Sequence, residues 1–269
     1  MIRKLSAALF AFALLGAGRA PDWRPLDPEN LLVIDTTRGR MIVEMAPVLA
    51  PQSVARVKLL AREGVYDGLQ FHRVIEGFVN QTGNPNNRDG GVSKHPDLPL
   101  EATFKLKMAS YRAVATPSDA TMGFLGSVPI ATVSGKEALR STDGAIRAWG
   151  AYCSGVAGMG RQAAEDTGNS EIFFMRGAAR RLDRDYAVWG RIVAGADVNS
   201  VIAVGEPPVK PDLMLKVRVA ADIPEAERPH LSILSQDSAA FRTLVRQTRM
   251  ARGADFSICD LEIPVRVDP

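Results

Sequence analysis

Apolar positions along the chain come in short runs broken by Gly, Pro, Asn and Asp, a pattern that predicts strands joined by turns more often than helices. Residues 31–36 and 41–45 flank Thr37-Arg38-Gly39-Arg40 and predict a hairpin. From Gln52 to Glu63 the period changes. Val54, Val57 and Leu60 or Ala61 fall on one helical face, Pro51 suits the first turn and Gly64 the close. The stretch 69–83, LQFHRVIEGFVNQTG, is apolar at Phe71, Val74, Ile75, Phe78 and Val79, yet carries Arg73 and Gln81. Both are costly in an apolar segment unless something polar meets them there. Further on, EIFFM at 171–175, the alternating run 186–191 and LMLKVRV at 213–219 predict strands, and 197–203 has a helical period.

Two segments stand apart. Residues 105–153 are too long for an ordinary connection and predict an elaboration holding one or two short helices and a hairpin. After Ala220 the composition becomes linker-like, then 238–251 reads as a basic amphipathic helix and 256–267 as a closing strand or two. Arg242, Arg246, Arg249 and Arg252 recur every three or four residues, the spacing of a solvated helix face. This tail is expected to dock on the main domain. Short strands with few parallel crossovers favour a mainly β barrel or sandwich with a few helices.

Composition changes the picture chiefly at the N-terminus. Arg3 and Lys4 precede an apolar run from Ser6 to Ala17 and then small residues, as in a secretory signal peptide over 1–20. The run is short for a membrane span, and no second one follows, so stable membrane insertion is not expected after cleavage. The location expected is periplasmic or secreted. The formal charge of +3 includes Arg3, Lys4 and Arg19; without them 30 basic residues face 30 acidic ones. A near-neutral chain gives no electrostatic argument for a nucleic-acid partner. Cys153 and Cys259 are the two cysteines: pairing and two free buried thiols stand equally open. Three dispersed histidines, His72, His95 and His230, give no metal-ligand spacing. The polar loop 84–97 lacks the alternation and closing glutamate of a calcium loop.

FHRVIEGFVNQTG resembles the signature segment of the cyclophilin-type peptidyl-prolyl cis–trans isomerases. GRMIVEMAPVLAPQSVARV resembles that family's first hairpin and helix, and GVAGMGR, NSEIFFM and RLDRDYAVWGRIVAG resemble later segments, over roughly 31–104 and 155–205. The resemblance implies a closed antiparallel eight-stranded barrel capped by two helices, over 21–220, with an insertion at about 105–154 and a C-terminal extension at 221–269. It implies Arg73 as the central catalytic residue and Gln81 as its companion. Phe78, Val79, Gly160, Phe174, Leu182 and Tyr186 are implied as the substrate groove. The chain departs from the family's commonest wording at Val79 (methionine), Gly160 (alanine), Arg181 (tryptophan) and Tyr186 (histidine).

The implied reaction is isomerisation of X-Pro bonds in proline-containing peptides and unfolded chains, with no cofactor. It breaks no covalent bond, which agrees with a sequence that offers no convincing Ser-His-Asp set, carboxylate pair or metal cluster. His72 alternates away from Arg73 and is expected to be structural rather than a base. The alternative use of the same fold is a non-catalytic peptide-binding or chaperone module.

Overall fold

The structure, a computed structural model, describes residues 22–84, 93–107, 111–117 and 120–268. The expected signal segment 1–20 and part of the polar loop lie outside them. Along the described chain run β1 (Trp23–Pro25), β2 (Leu31–Thr36), β3 (Gly39–Met45), α1 (Pro51–Arg62), β4 (Arg73–Ile75), β5 (Val79–Thr82) and β6 (Phe104–Lys107). Next come β7 (Ala113–Ala115), β8 (Ala120–Leu125), β9 (Val128–Val133), α2 (Gly135–Ala138), β10 (Ala145–Gly150), β11 (Val156–Met159) and β12 (Ile172–Met175). The chain closes with β13 (Val188–Ala194), α3 (Ala196–Val201), β14 (Met214–Val219), β15 (Leu231–Leu234), α4 (Ala239–Arg252) and β16 (Val265–Val267).

Eight strands form one curled antiparallel sheet in the order β14-β2-β3-β13-β11-β12-β5-β4. Its two edges approach through isolated bridges, Gln70 with Leu213 and Val74 with Gly205, and no strand ladder joins β4 to β14 among the described residues. Both faces of this sheet are covered. On one face Leu32, Ile34, Met41, Val43, Phe174 and Trp189 pack with Val54, Val57 and Leu60 of α1. On the other, Leu31, Val33, Ile42 and Val188 meet residues of the insertion and the tail. This is why the run from Leu31 to Ile34 is apolar at every position instead of alternating.

The start of α1 shows how a distant residue completes a local element. Ala50 at its N-cap offers no side-chain hydrogen bond. Glu101 does so instead: its carboxylate accepts from the Gln52 and Ser53 amides at 3.0 and 2.8 Å and from Ser53 Oγ at 2.8 Å. A carboxylate there satisfies orphan amides and faces the positive end of the helix dipole.

The middle elaboration is more strand-rich than its sequence suggests. It contains the expected hairpin (β8–β9) and one short helix (α2), but these belong to a second, five-stranded sheet of order β6-β10-β9-β8-β7. Its small residues and its GSVP and STDG turns hid the strands, which are held by cross-strand packing more than by propensity. The tail likewise builds a third sheet, β1-β15-β16, which recruits Trp23–Pro25 from the proline-rich lead-in. Phe241 of α4 meets Phe124 of β8 edge to face, with centroids 6.2 Å apart. A Cys153–Cys259 disulfide ties the end of the insertion to the tail. The α4 arginines Arg242, Arg246, Arg249 and Arg252 are exposed, as their spacing predicted, and two of them also find partners: Arg249 lies 4.5 Å over the Phe256 ring and Arg252 pairs with Asp260 at 3.1 Å.

Candidate active site

Arg73 on β4 stands opposite Gln81 on β5, and Gln81 stands opposite Phe173 on β12. Because side chains alternate along a strand, these three share one face, while Val74, Asn80 and Phe174 share the other. Arg73 Nη1 donates to Gln81 Oε1 at 3.1 Å, and its Nε donates to Glu206 Oε2 at 2.7 Å. Nη2 has no protein acceptor among the described residues. Gln81 Nε2 donates in turn to Glu171 Oε1. The other Glu171 oxygen lies 3.5 Å from Nε2 of His72, a buried ring whose nitrogens make no hydrogen bond.

This polar row borders a cleft of about 230 Å³. Phe78, Val79, Phe173, Leu182 and Tyr186 supply its apolar wall, and Gly160 and Arg161 complete the lining. Phe78 follows Gly77, whose φ of +64° suits a left-handed turn that glycine adopts without a side-chain clash. Leu182 is held through its neighbour. Asp183 accepts from Arg180 Nε at 2.6 Å, the Tyr152 amide at 3.0 Å and Trp149 Nε1 at 3.2 Å. One wall of the cleft is thus anchored on the inserted segment. Arg181, which stands where the family commonly has tryptophan, places its guanidinium carbon 4.6 Å from the Phe78 ring centroid.

Phe173 is gripped from two sides. Tyr152 stacks on it with centroids 5.8 Å apart, and Tyr186 meets it edge-on at 5.8 Å. Arg161 covers the Tyr186 ring at 4.7 Å. Burial, and next the Asp183 carboxylate, push the Tyr152 phenol well above its ordinary pKa, so it backs the cleft as a neutral group. Space for Phe173 comes from Gly158 on β11, where a Cβ would fall 2.2 Å from the ring.

The cleft therefore gathers Arg73, Gln81, Phe78, Val79, Gly160, Leu182 and Tyr186. It corrects one expectation: Phe174 points into the opposite face, fully buried 6.0 Å from Trp189, and Phe173 takes the groove position. EIFFM holds adjacent phenylalanines, and only the register with Gln81 separates them. Sequence reading also passed over Glu171, Arg161 and Glu206. Glu171 had a usable signal, since it lies two residues before Phe173 and so on the same strand face. Glu206 had none, because it is 133 residues from its partner.

The family model for cyclophilin type peptidyl-prolyl cis-trans isomerase/CLD matches residues 31–219. The chain belongs to the cyclophilin family. It is an enzyme of the peptidyl-prolyl cis–trans isomerase class. A probable peptidyl-prolyl cis-trans isomerase of Brucella suis is 30% identical over 237 residues, covering 82% of this chain and 97% of the relative. The peptidyl-prolyl isomerase cwc-27 of Neurospora crassa is 28% identical over 184 residues, covering 68% of this chain and 31% of that much longer protein. Among solved structures, the crystal structure of cyclophilin AquaCyp293 from Hirschia baltica superposes with a TM-score of 0.84 at 31% identity. That match covers 91% of this chain and 93% of the other, so it takes in the insertion and tail as well as the cyclophilin core.

Proposed function

We propose that this cyclophilin isomerises X-Pro bonds by binding the twisted amide through Arg73. A planar amide resists rotation by about 18–20 kcal/mol because twisting breaks its conjugation. As the bond turns, the prolyl nitrogen becomes pyramidal and regains a lone pair. A fixed donor directed at that nitrogen binds the twisted state better than either planar state. The observation that carries this reading is that Arg73 borders an apolar cup while two acceptors, Gln81 and Glu206, hold its Nη1 and Nε. The planar guanidinium is then fixed in orientation with Nη2 still available. Such a preorganised donor is worth about 2–4 kcal/mol, by analogy with oxyanion-hole donors.

Phe78, Val79, Phe173, Leu182 and Tyr186 hold the prolyl ring while the acyl side of the bond turns. Val79 and Tyr186 keep the wall apolar and aromatic, and Arg181 covers Phe78 from outside. The substrates are exposed X-Pro segments of exported, incompletely folded chains. The basic-then-apolar start at 1–20 supports export, as does the Cys153–Cys259 bond, since disulfides persist in oxidising compartments. No described helix is long and apolar enough to cross a membrane. Two measurements test the reading. Exchange spectroscopy on a proline-containing peptide should show cis–trans interconversion accelerated by catalytic amounts of the chain, and no acceleration contradicts it. Sequencing the N-terminus of the protein from a cell envelope fraction should begin near residue 21, and an intact Met1 in the cytosolic fraction contradicts export.

A further inference from the structure

Gln81 can face Arg73 in two ways, because its side-chain amide has an accepting end and a donating end of nearly the same shape. Its neighbours admit one. A guanidinium only donates, so Arg73 requires Oε1; an ionised carboxylate only accepts, so Glu171 requires Nε2. We propose that Glu171, admitted by the absence of a side chain at Gly160, is a positioning residue that locks the Gln81 amide in the orientation that holds Arg73. This rests on the Arg73 reading given above.

The space argument is independent of the hydrogen bonds. A Cβ at Gly160 would lie 2.5 Å from Glu171 Oε1, 2.7 Å from its Cγ and 2.9 Å from its Cβ. The Gly160 amide also donates to the Glu171 carbonyl at 2.7 Å, so the two residues face each other across β11 and β12 and neither backbone can retreat alone. Any side chain at 160 must push Glu171 out of line with Gln81. Gly158 and Phe173 repeat the arrangement two residues away on the same face. The two glycines of GMG-bounded 158–160 thus clear room for one apolar and one acidic groove residue. The acid is placed to be felt at Arg73: it reaches the guanidinium through one amide, and charge-assisted hydrogen bonds in such a row reinforce each other.

The test uses the full chain and the proline-peptide assay. E171A should lower kcat about tenfold, as expected when a reacting group is displaced by a fraction of an ångström, with KM changed by less than about threefold. E171Q should recover most of the loss, because its carbonyl can still accept from Gln81. G160A should fall as E171A does, and the double variant G160A/E171A should be no slower than E171A, since the displaced group is already gone. In the 15N spectrum, the Gln81 side-chain amide resonances should move upfield in E171A while those of Gln236, whose amide donates to the Gly126 carbonyl at 2.8 Å away from this row, stay in place. Wild-type kcat in E171A, or an unmoved Gln81 signal, overturns the inference while leaving Arg73 intact if R73A is inactive. Wild-type activity in R73A instead overturns the underlying reading. If G160A does not fold, the E171A kinetics and spectrum decide the matter alone.

Discussion

Arg73 and Gln81 are direct cross-strand partners in the β4–β5 hairpin, with Nη1 of one 3.1 Å from Oε1 of the other. The polar pair that looked misplaced in an apolar sequence is therefore self-satisfying, and it sits where the sheet face opens into a cleft. The seven residues between them are the length of one tight hairpin. Spacing in sequence becomes contact in space because Gly77 lets the chain reverse.

The two adjacent phenylalanines separate function from stability. Phe173→Ala removes the wall shared by Tyr152 and Tyr186 and should lower kcat/KM by about 10- to 100-fold, the value of a few kcal/mol of lost apolar contact. Phe174→Ala opens a cavity against Trp189 and should cost about 3–5 kcal/mol of stability, read by urea unfolding. The reverse pattern would return the groove position to Phe174.

Asp212 should make the fold acid-sensitive. Burial alone would raise its pKa. Hydrogen bonds from Thr37 Oγ1 (2.7 Å), the Ala203 amide (2.8 Å) and Arg38 Nε (2.8 Å) outweigh that and hold it below the ordinary carboxylate value. A depressed folded pKa means that the stabilisation is whole above the unfolded value of about 4 and is lost as pH falls through the lower folded value. D212N should be less stable than wild type at pH 7 by about 1–3 kcal/mol and should show a shallower loss between neutral pH and pH 2. Identical pH profiles for the two proteins would contradict this role.

The Cys153–Cys259 bond closes a loop of 106 residues that contains β11 to β15 and α4. Cross-links of that span stabilise by about 2–5 kcal/mol, so the C153S/C259S variant should unfold at correspondingly lower urea concentration. Thermal scans with and without reductant should differ for the wild type and coincide for the variant. A wild type indifferent to reductant would contradict a bridged tail.

Most of the eight-stranded sheet was legible because its strands and α1 announce themselves locally, by apolar runs, a helical period at Val54, Val57 and Leu60, and glycine turns. Arg73 and Gln81 stood out locally as polar residues in an apolar hairpin, whereas the groove roles of Phe78, Val79, Gly160, Leu182 and Tyr186 came from the resemblance to the family. What failed to show depends on pairing between distant segments. The insertion reads as loops because its strands become strands only beside one another, Phe104–Lys107 with Ala145–Gly150. Phe173 and Phe174 differ only by register against β5, and Glu101 and Glu206 act on residues 48 and 133 positions away. No local pattern encodes such contacts. The open question of Cys153 and Cys259 belongs to the same class, since only the docking of the tail brings them together.

The most direct test compares kcat/KM of wild type and R73A for isomerisation of a proline-containing peptide, with circular dichroism confirming that both are folded. A donor to the twisted amide worth about 2–4 kcal/mol predicts a fall of roughly 30- to 1,000-fold. R73A turning over the peptide at the wild-type rate would contradict the role of Arg73.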